Sequence, residues 1–325
     1  MAILVTGGAG YIGSHMVLKL LELGEEVVVV DNLSTGRREL VPAAARLVVA
    51  DIADGAIVGD LLKGGAVECV IHFAGSIVVP DSVSDPLGYY LNNTAKSRSL
   101  IESCVKAGVG KFIFSSTAAV YGSPERVPVE ETDVLSPINP YGRSKLMTEW
   151  MLQDCAAAYP IRYAALRYFN VAGADPAGRS GQASPKATHL IKTACEVATG
   201  KRTQMSIFGT DYPTRDGTCV RDYIHVTDLA DAHAAALTYL RDGGASGAFN
   251  CGYGRGYSVL EVIASLNRLL GREIHVERAG RRAGDPAMLV AGTQKIRDAF
   301  AWRPQYEDLD FIVKTALQWE RSLEV

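Results

Sequence analysis

Within its first thirteen residues the chain runs from an apolar strand, Ala2-Ile3-Leu4-Val5, into Thr6-Gly7-Gly8-Ala9-Gly10-Tyr11-Ile12-Gly13, and then into a helical pattern reaching Leu23. Gly7 permits the tight turn, Gly10 lets the backbone approach a bound anion, and Gly13 allows the helix to pack closely on the strand. The unpaired N–H groups of the first helical turn, around Tyr11 and Ile12, then form an anion site suited to a pyrophosphate. A second apolar run, Val27 to Val30, ends on Asp31 and Asn32. The Asp31 carboxylate is placed to accept hydrogen bonds from the ribose hydroxyls of an adenosine and to repel a 2′-phosphate, which favours NAD over NADP. Arg37 and Arg38, which would argue for NADP, lie further along the chain. The same glycines would serve any tight turn; the order strand, glycines, helix, strand, Asp is what points to a dinucleotide.

Further apolar runs, RLVVAD, VECVIHFAG, KFIFSST and YAALRYFN, alternate with helical patterns at about residues 91–107 and 140–158. Continuous apolar strands separated by helices mark a parallel sheet covered on both faces. The expected fold is α/β, a doubly wound parallel sheet of Rossmann type over residues 1–172. Strand ends in such a sheet face the ligand crevice, which places Asp51-Ile52 and Phe73-Ala74-Gly75 there. After Asn170 the rhythm breaks into AGADPAGRSGQASP, a loop or boundary. A smaller C-terminal α/β substrate domain is expected over residues 173–325, with helices at 187–199, 226–240 and 259–269.

Composition removes several function classes. With 33 basic and 36 acidic residues and a net charge of -3, the chain shows no basic footprint for nucleic acid or an anionic membrane. Its apolar runs fall far short of the roughly 18 residues a membrane span needs, and its first residues read as a strand rather than a signal peptide. The expectation is a cytoplasmic protein with neither partner. The six cysteines, at 69, 104, 155, 195, 219 and 251, are scattered without a Cys-x-x-Cys pair; they read as reduced core residues, and no metal site is expected.

Tyr141 and Lys145 stand four residues apart, on one helix face. Spacing alone says little, since exposed helices carry such pairs. Position gives it weight: Asn139-Pro140 reads as N-cap and first helical residue, and Ser115-Ser116-Thr117 ends the preceding strand at the crevice edge. A tyrosine near pKa 10 is a poor base at neutral pH. A neighbouring ammonium and a positive nicotinamide ring would favour its phenolate, and a shift of roughly three units needs only about 4 kcal/mol. Thr117 is then placed to hydrogen-bond the reacting hydroxyl, and Lys145 to hold the nicotinamide ribose.

TGGAGYIG, Asp31-Asn32, HFAG, SSTAAVYG, YGRSK, LRYFN, DGTCVRDYIHV and RRAGD occur in this order over nearly the whole chain. Together they resemble the extended short-chain dehydrogenase/reductases, most closely those acting on nucleotide sugars. The resemblance implies NAD-dependent inversion at carbon 4 of a UDP-hexose, glucose to galactose and back, through a transient 4-keto sugar. Dehydratases of the family carry Asp and Glu after the strand-end Thr; here Ala118 and Ala119 follow Thr117, leaving no obvious acid to drive elimination. An N-acetylhexosamine or pentose 4-epimerase, or a 4-keto reductase, on the same fold is the alternative. A non-catalytic NAD-binding scaffold would be expected to lose Tyr141 or Lys145, and both are present.

The family pattern carries residue roles with it. Tyr141, Lys145 and Thr117 are implied as catalytic. Asn92, Ser115 and Tyr168 are implied near the cofactor, beside the glycines and strand ends already named. Arg221 and Arg282 match diphosphate-binding arginines, whose guanidinium forks suit a dianion. Phe208 matches the uracil shelf, with Ile207 beside it, and Tyr223 and Asp285 match uridine and ribose contacts. Asn170 matches a sugar contact. His189, with Leu190, stands where many relatives have Asn beside the diphosphate, and Ile77 stands where some have Lys. Leu289 aligns with the residue gating the sugar pocket, where Tyr restricts and Cys or Ser admits N-acetylated sugars; Leu is intermediate, so sugar breadth stays open. His225 reads as a packed residue heading a helix. Finally, Leu146, Met147 and Trp150 fall on the helix face opposite Tyr141, which points to contact with another helix in a twofold homodimer, as in relatives, with ordinary burial within the chain as the alternative.

Overall fold

The structure is a computed structural model that describes residues 1–184, 188–282 and 284–323. Its first half runs β1 (Ala2–Thr6), α1 (Tyr11–Glu22), β2 (Val27–Asp31), β3 (Arg46–Val49), α2 (Gly55–Leu62), β4 (Val67–His72), the short α3 (Val79–Ser84) and α4 (Pro86–Tyr89), α5 (Lys96–Ala107), β5 (Lys111–Ser115), α6 (Pro140–Ala158) and β6 (Arg162–Tyr168). The second half runs β7 (Asn170–Ala172), α7 (Leu190–Ala198), β8 (Met205–Phe208), β9 (Val220–His225), α8 (Val226–Arg241), β10 (Gly247–Cys251), β11 (Gly256–Ser258), α9 (Val259–Leu270), β12 (Val276–Ala279), β13 (Met288–Leu289), α10 (Gln294–Ala299) and α11 (Leu309–Ser322).

Seven parallel strands form the central sheet in the order β10-β6-β5-β4-β1-β2-β3. The chain winds outward from β1 to β3, then restarts at β4 on the other side, so the β1/β4 junction is the switch point where such sheets open a crevice. Both faces of the sheet are covered, which is why its inner strands read as unbroken apolar runs. Ile3, Val5, Val29 and Ile71 pack on one face with Met16, Val17 and Leu20 of α1 and Leu229 and Leu237 of α8. Leu4, Val28, Val70, Phe112 and Phe114 pack on the other with Val58, Leu100 and Leu152 of α2, α5 and α6.

The expected boundary at 172/173 marks a change of architecture without a clean cut. β10 returns from the second region to pair with β6, and α8 packs against α1 in the same core. An uncovered β6 edge would present open N–H and C=O groups, and β10 covers it. The rest of the second region builds two small sheets, β11-β9-β13 with β7 beside β9, and β8 with β12. These face the carboxyl ends of the main strands.

One helix boundary differs from expectation and another falls outside the described residues. The helix expected from residue 91 opens as a π-helical turn, Tyr90–Ala95, before α5 begins. The expected start at residue 187 lies outside the described residues, and α7 begins at Leu190. Among the described residues no helix is long and apolar enough to cross a membrane, and the six cysteines are free thiols, five of them buried.

Candidate active site

The carboxyl ends of the central strands open on one cleft of about 1690 Å³, whose far wall comes from the second region. A pocket for one small ligand measures roughly 300–1,000 Å³, so the cleft has room for two. Its floor is the glycine turn. Gly7 has φ +71 and no space for a side chain, because a Cβ would lie 2.6 Å from the Ala74 N. At Gly13 a Cβ would meet the Gly7 carbonyl oxygen at 2.1 Å. Gly10 heads α1 without a side-chain cap, so the first N–H groups of the helix remain available to an anion. These residues fit a dinucleotide pyrophosphate.

Asp31 is buried at the end of β2, where its carboxylate accepts from Ala9 N at 2.9 Å and Leu33 N at 2.8 Å. Each oxygen keeps a lone pair for a ribose hydroxyl. Tyr11, Ile12, Asn32, Asp51, Ile52, Phe73, Ala74 and Gly75 all line the same end. Tyr11 also donates its hydroxyl to the Gly173 carbonyl at 2.6 Å, tying the floor to the second region. Lys96, which sequence reasoning missed, reaches the Asp51 carboxylate at 2.5 Å; nothing in a polar helical run marks it. Asn92 lines the cleft and donates to Ser76 Oγ at 2.9 Å. Its neighbour Asn93, 2% exposed and also missed, accepts from Ser76 N at 2.7 Å and donates to Ser144 Oγ at 3.1 Å, joining the loop after β4 to α6.

The reacting end is built by α6 against β5. The Asn139 side chain accepts from Gly142 N at 2.8 Å and Pro140 fills the first turn, which fixes where Tyr141 begins. Lys145, one turn on and 3% exposed, donates to the Ser115 carbonyl at 2.9 Å and lies 5.0 Å from the Phe114 ring centre. Burial brings its pKa down to about 8. Thr117 accepts from Ala119 N at 3.1 Å, so its own proton is free for the Tyr141 oxygen. Burial nevertheless pushes the Tyr141 phenol up, outweighing the Thr117 hydrogen bond. The chain alone therefore keeps Tyr141 protonated at neutral pH, and the Tyr–Lys pair by itself does not give the expected phenolate. Ser115 Oγ hydrogen-bonds the Tyr168 hydroxyl, and Ala118 and Ala119 line the cleft where an eliminating enzyme would need acids.

Behind this end lies a buried polar network absent from the sequence reading. Ser116 Oγ donates to Glu149 of α6, and Arg167 of β6 forks onto the same carboxylate, Nε at 3.0 Å and Nη2 at 2.6 Å. Arg167 Nη1 also reaches the Tyr121 hydroxyl at 3.0 Å. Glu149 lies four residues after Lys145, on the same helix face, which was the signal available.

On the far wall, Asn170, Leu190, Tyr223 and Leu289 line the cleft, with Leu289 in one buried cluster with Ala118, Val120 and Leu146. Arg221 Nη2 is 3.7 Å from Asp285 Oδ1, and the Arg282 guanidinium sits 4.2 Å from the Phe208 ring centre. His189 Nδ1 takes the Gln182 side-chain N–H at 2.8 Å, and burial lowers its pKa. The ring is thus neutral with its proton on Nε2, a donor. Ile207 departs from expectation. It is 2% exposed and packs in the core, while Met205, Ser206 and Phe208 of the same strand line the cleft. His225 is buried, with Nε2 3.1 Å from Thr315 Oγ1, and heads α8.

A sequence profile of the NAD dependent epimerase/dehydratase family matches residues 3–252. The chain is 58% identical to a UDP-glucose 4-epimerase of Azospirillum brasilense, over 99% of its own length and 92% of that protein's. It is 47% identical to one from Lacticaseibacillus casei, over 99% and 97%. The crystal structure of UDP-glucose 4-epimerase from Brucella ovis in complex with NAD superposes with a TM-score of 0.95 at 45% identity, covering 98% of each chain. That from Bifidobacterium longum in complex with NAD+ and UDP does so with a TM-score of 0.92 at 36% identity, covering 99% of this chain and 98% of that one. The chain belongs to the NAD dependent epimerase/dehydratase family, in the branch of the UDP-glucose 4-epimerases.

Proposed function

We propose that this chain inverts carbon 4 of a UDP-hexose, interconverting UDP-glucose and UDP-galactose through a transient 4-keto sugar with NAD as resident cofactor. The observation that carries this reading is the meeting of Tyr141, Thr117 and Lys145 on one wall, with alanines in place of eliminating acids beside them. Gly7, Gly10, Gly13, Asp31 and Asp51 would hold the cofactor, with Tyr168, Ser115 and Lys145 at its nicotinamide end. Bound there, NAD supplies reversible oxidation at carbon 4.

The chain's own residues manage the proton and the grip. Tyr141 Oη takes the proton of the 4-hydroxyl and returns it, while Thr117 holds that hydroxyl's oxygen in line. Lys145, its ammonium fixed by the Ser115 carbonyl, favours the phenolate. Arg221, Arg282 and the His189 donor grip the diphosphate. Leu289 offers the sugar an apolar contact without direction, so the ring is free to present either face. Residues 1–172 would thus serve the cofactor and 173–325 the nucleotide sugar, a division of labour across a shared core. The six free thiols suit a reducing, cytoplasmic setting.

Purified protein incubated separately with UDP-galactose, UDP-N-acetylgalactosamine and UDP-arabinose, followed by chromatography of the nucleotide sugars, tests the reading. Conversion of UDP-galactose to UDP-glucose is expected, with Tyr141→Phe slower by roughly 10²- to 10⁴-fold yet still carrying NAD. No hexose interconversion would refute the reaction, and near-normal turnover of the variant would remove Tyr141 from its role.

A further inference from the structure

On either side of residue 283, Arg282 stacks on Phe208 and Asp285 lies beside Arg221, both on the far wall. Arg281, the neighbour of Arg282, does not line the cleft; it reaches outward. Its Nε donates to Asp211 Oδ1 at 2.8 Å, its Nη2 donates to the Asp211 carbonyl at 2.6 Å, and its guanidinium carbon lies 4.3 Å from the Tyr212 ring centre. The receiving loop is itself fixed. Tyr212 N donates to the Gly217 carbonyl at 2.9 Å, and Gly209 N to the Ala279 carbonyl at 3.0 Å. At Gly209, φ +77, a Cβ would lie 2.3 Å from the Tyr212 ring and 2.9 Å from Arg281 Cγ, so the loop and Arg281 meet too closely there for any side chain.

We propose that Arg281 is a positioning residue for the nucleotide diphosphate: its clasp on Asp211 and Tyr212 holds the backbone at 281–282 so that Arg282 already stands over Phe208 when substrate arrives. The inference rests on the reading of Arg282 and Phe208 as nucleotide contacts. An exposed ion pair alone contributes little. Here two acceptors from one residue and an aromatic face restrain a single guanidinium, and the gain is ordering of a loop that binding would otherwise have to order. The clasp acts on the part of the ligand common to every UDP-sugar and leaves the reacting sugar untouched. It therefore governs affinity rather than chemistry.

The test titrates UDP into the purified protein by calorimetry and measures KM and kcat with UDP-galactose, for the parent chain and Arg281→Ala, Arg281→Lys and Arg282→Ala. Arg281→Ala is expected to weaken UDP binding and raise KM by roughly three- to tenfold, with kcat within about twofold. Arg281→Lys keeps the charge but loses the fork and the stack, so it should fall close to Arg281→Ala. Parent-like binding by Arg281→Lys would mean a long-range charge effect and overturn the clasp. So would a fall in kcat alongside the rise in KM, the mark of general damage. If Arg282→Ala weakens UDP while Arg281→Ala does not, the diphosphate reading stands and the clasp falls. If neither weakens UDP, both fall together.

Discussion

Lys145 carries a conflict that its chemistry requires. Its ammonium is buried, its pKa is brought down from 10.5 to about 8, and its single acceptor among the described residues is the Ser115 carbonyl. A lysine whose folded pKa lies below its unfolded value binds its proton less well when folded. The ligand-free fold is thus penalised at neutral pH, and the penalty fades as pH rises through 8 towards 10.5. Lys145→Met is expected to raise the melting temperature of the NAD-free protein at pH 7, by as much as about 3 kcal/mol in stability, while abolishing epimerisation; the gap from the parent should close above pH 10. A variant less stable than the parent at pH 7 would show that the Ser115 hydrogen bond outweighs the buried charge. Residues of this kind were legible in the sequence because their chemistry demands fixed spacings: glycines where a Cβ would collide, a Tyr and a Lys one turn apart. Ile207 is the residue of β8 that the family pattern names and the cleft lining leaves out: the pattern locates a short strand without setting which of its side chains the core takes.

At the scale of elements, α6 and the end of β5 must keep register for Tyr141 and Thr117 to meet. The clamp between them is Glu149, shared by Ser116 and Arg167 deep in the protein. Removing one member of a buried pair leaves the other uncompensated, which typically costs about 3–5 kcal/mol, whereas removing both together costs less. Glu149→Gln is expected to lower the unfolding free energy measured by urea titration by an amount in that range, and Glu149→Gln with Arg167→Met to recover part of it; a double variant no better than the single one would show that the pair's charges are not the issue. Such charges were hidden because an acid on a helix and an arginine in a strand read as surface residues until the packing is known. The π-helical turn before α5 was equally illegible. Nothing in Tyr90–Ala95 departs from a helical pattern, yet it sets Asn92 and Asn93 side by side against Ser76.

At the scale of the molecule, the doubly wound sheet was readable from alternating apolar runs, but the route of the second region was not. β10, Gly-Ala-Phe-Asn-Cys, is too short and mixed to announce that it closes the sheet beside β6. Because β10 and α8 return to the first core, the two walls of the cleft are parts of one packed body. What that body leaves uncovered bears on assembly. Of the α6 face expected to meet another helix, Leu146 is buried within the chain, while Trp150 is 52% exposed, and Leu87 and Leu91 are exposed in the neighbouring α4 and π-helical turn. Large apolar side chains on adjoining exposed helices are the composition of a subunit contact, and self-complementary pairing of this surface gives the homodimer we propose. Sedimentation at micromolar concentration is expected to give twice the chain mass, and Trp150→Glu, which places a charge in the centre of the contact, to give the mass of one chain with its NAD still bound. A parent protein that sediments as a monomer would refute the dimer, and a Trp150→Glu variant that stays dimeric would move the contact to another face.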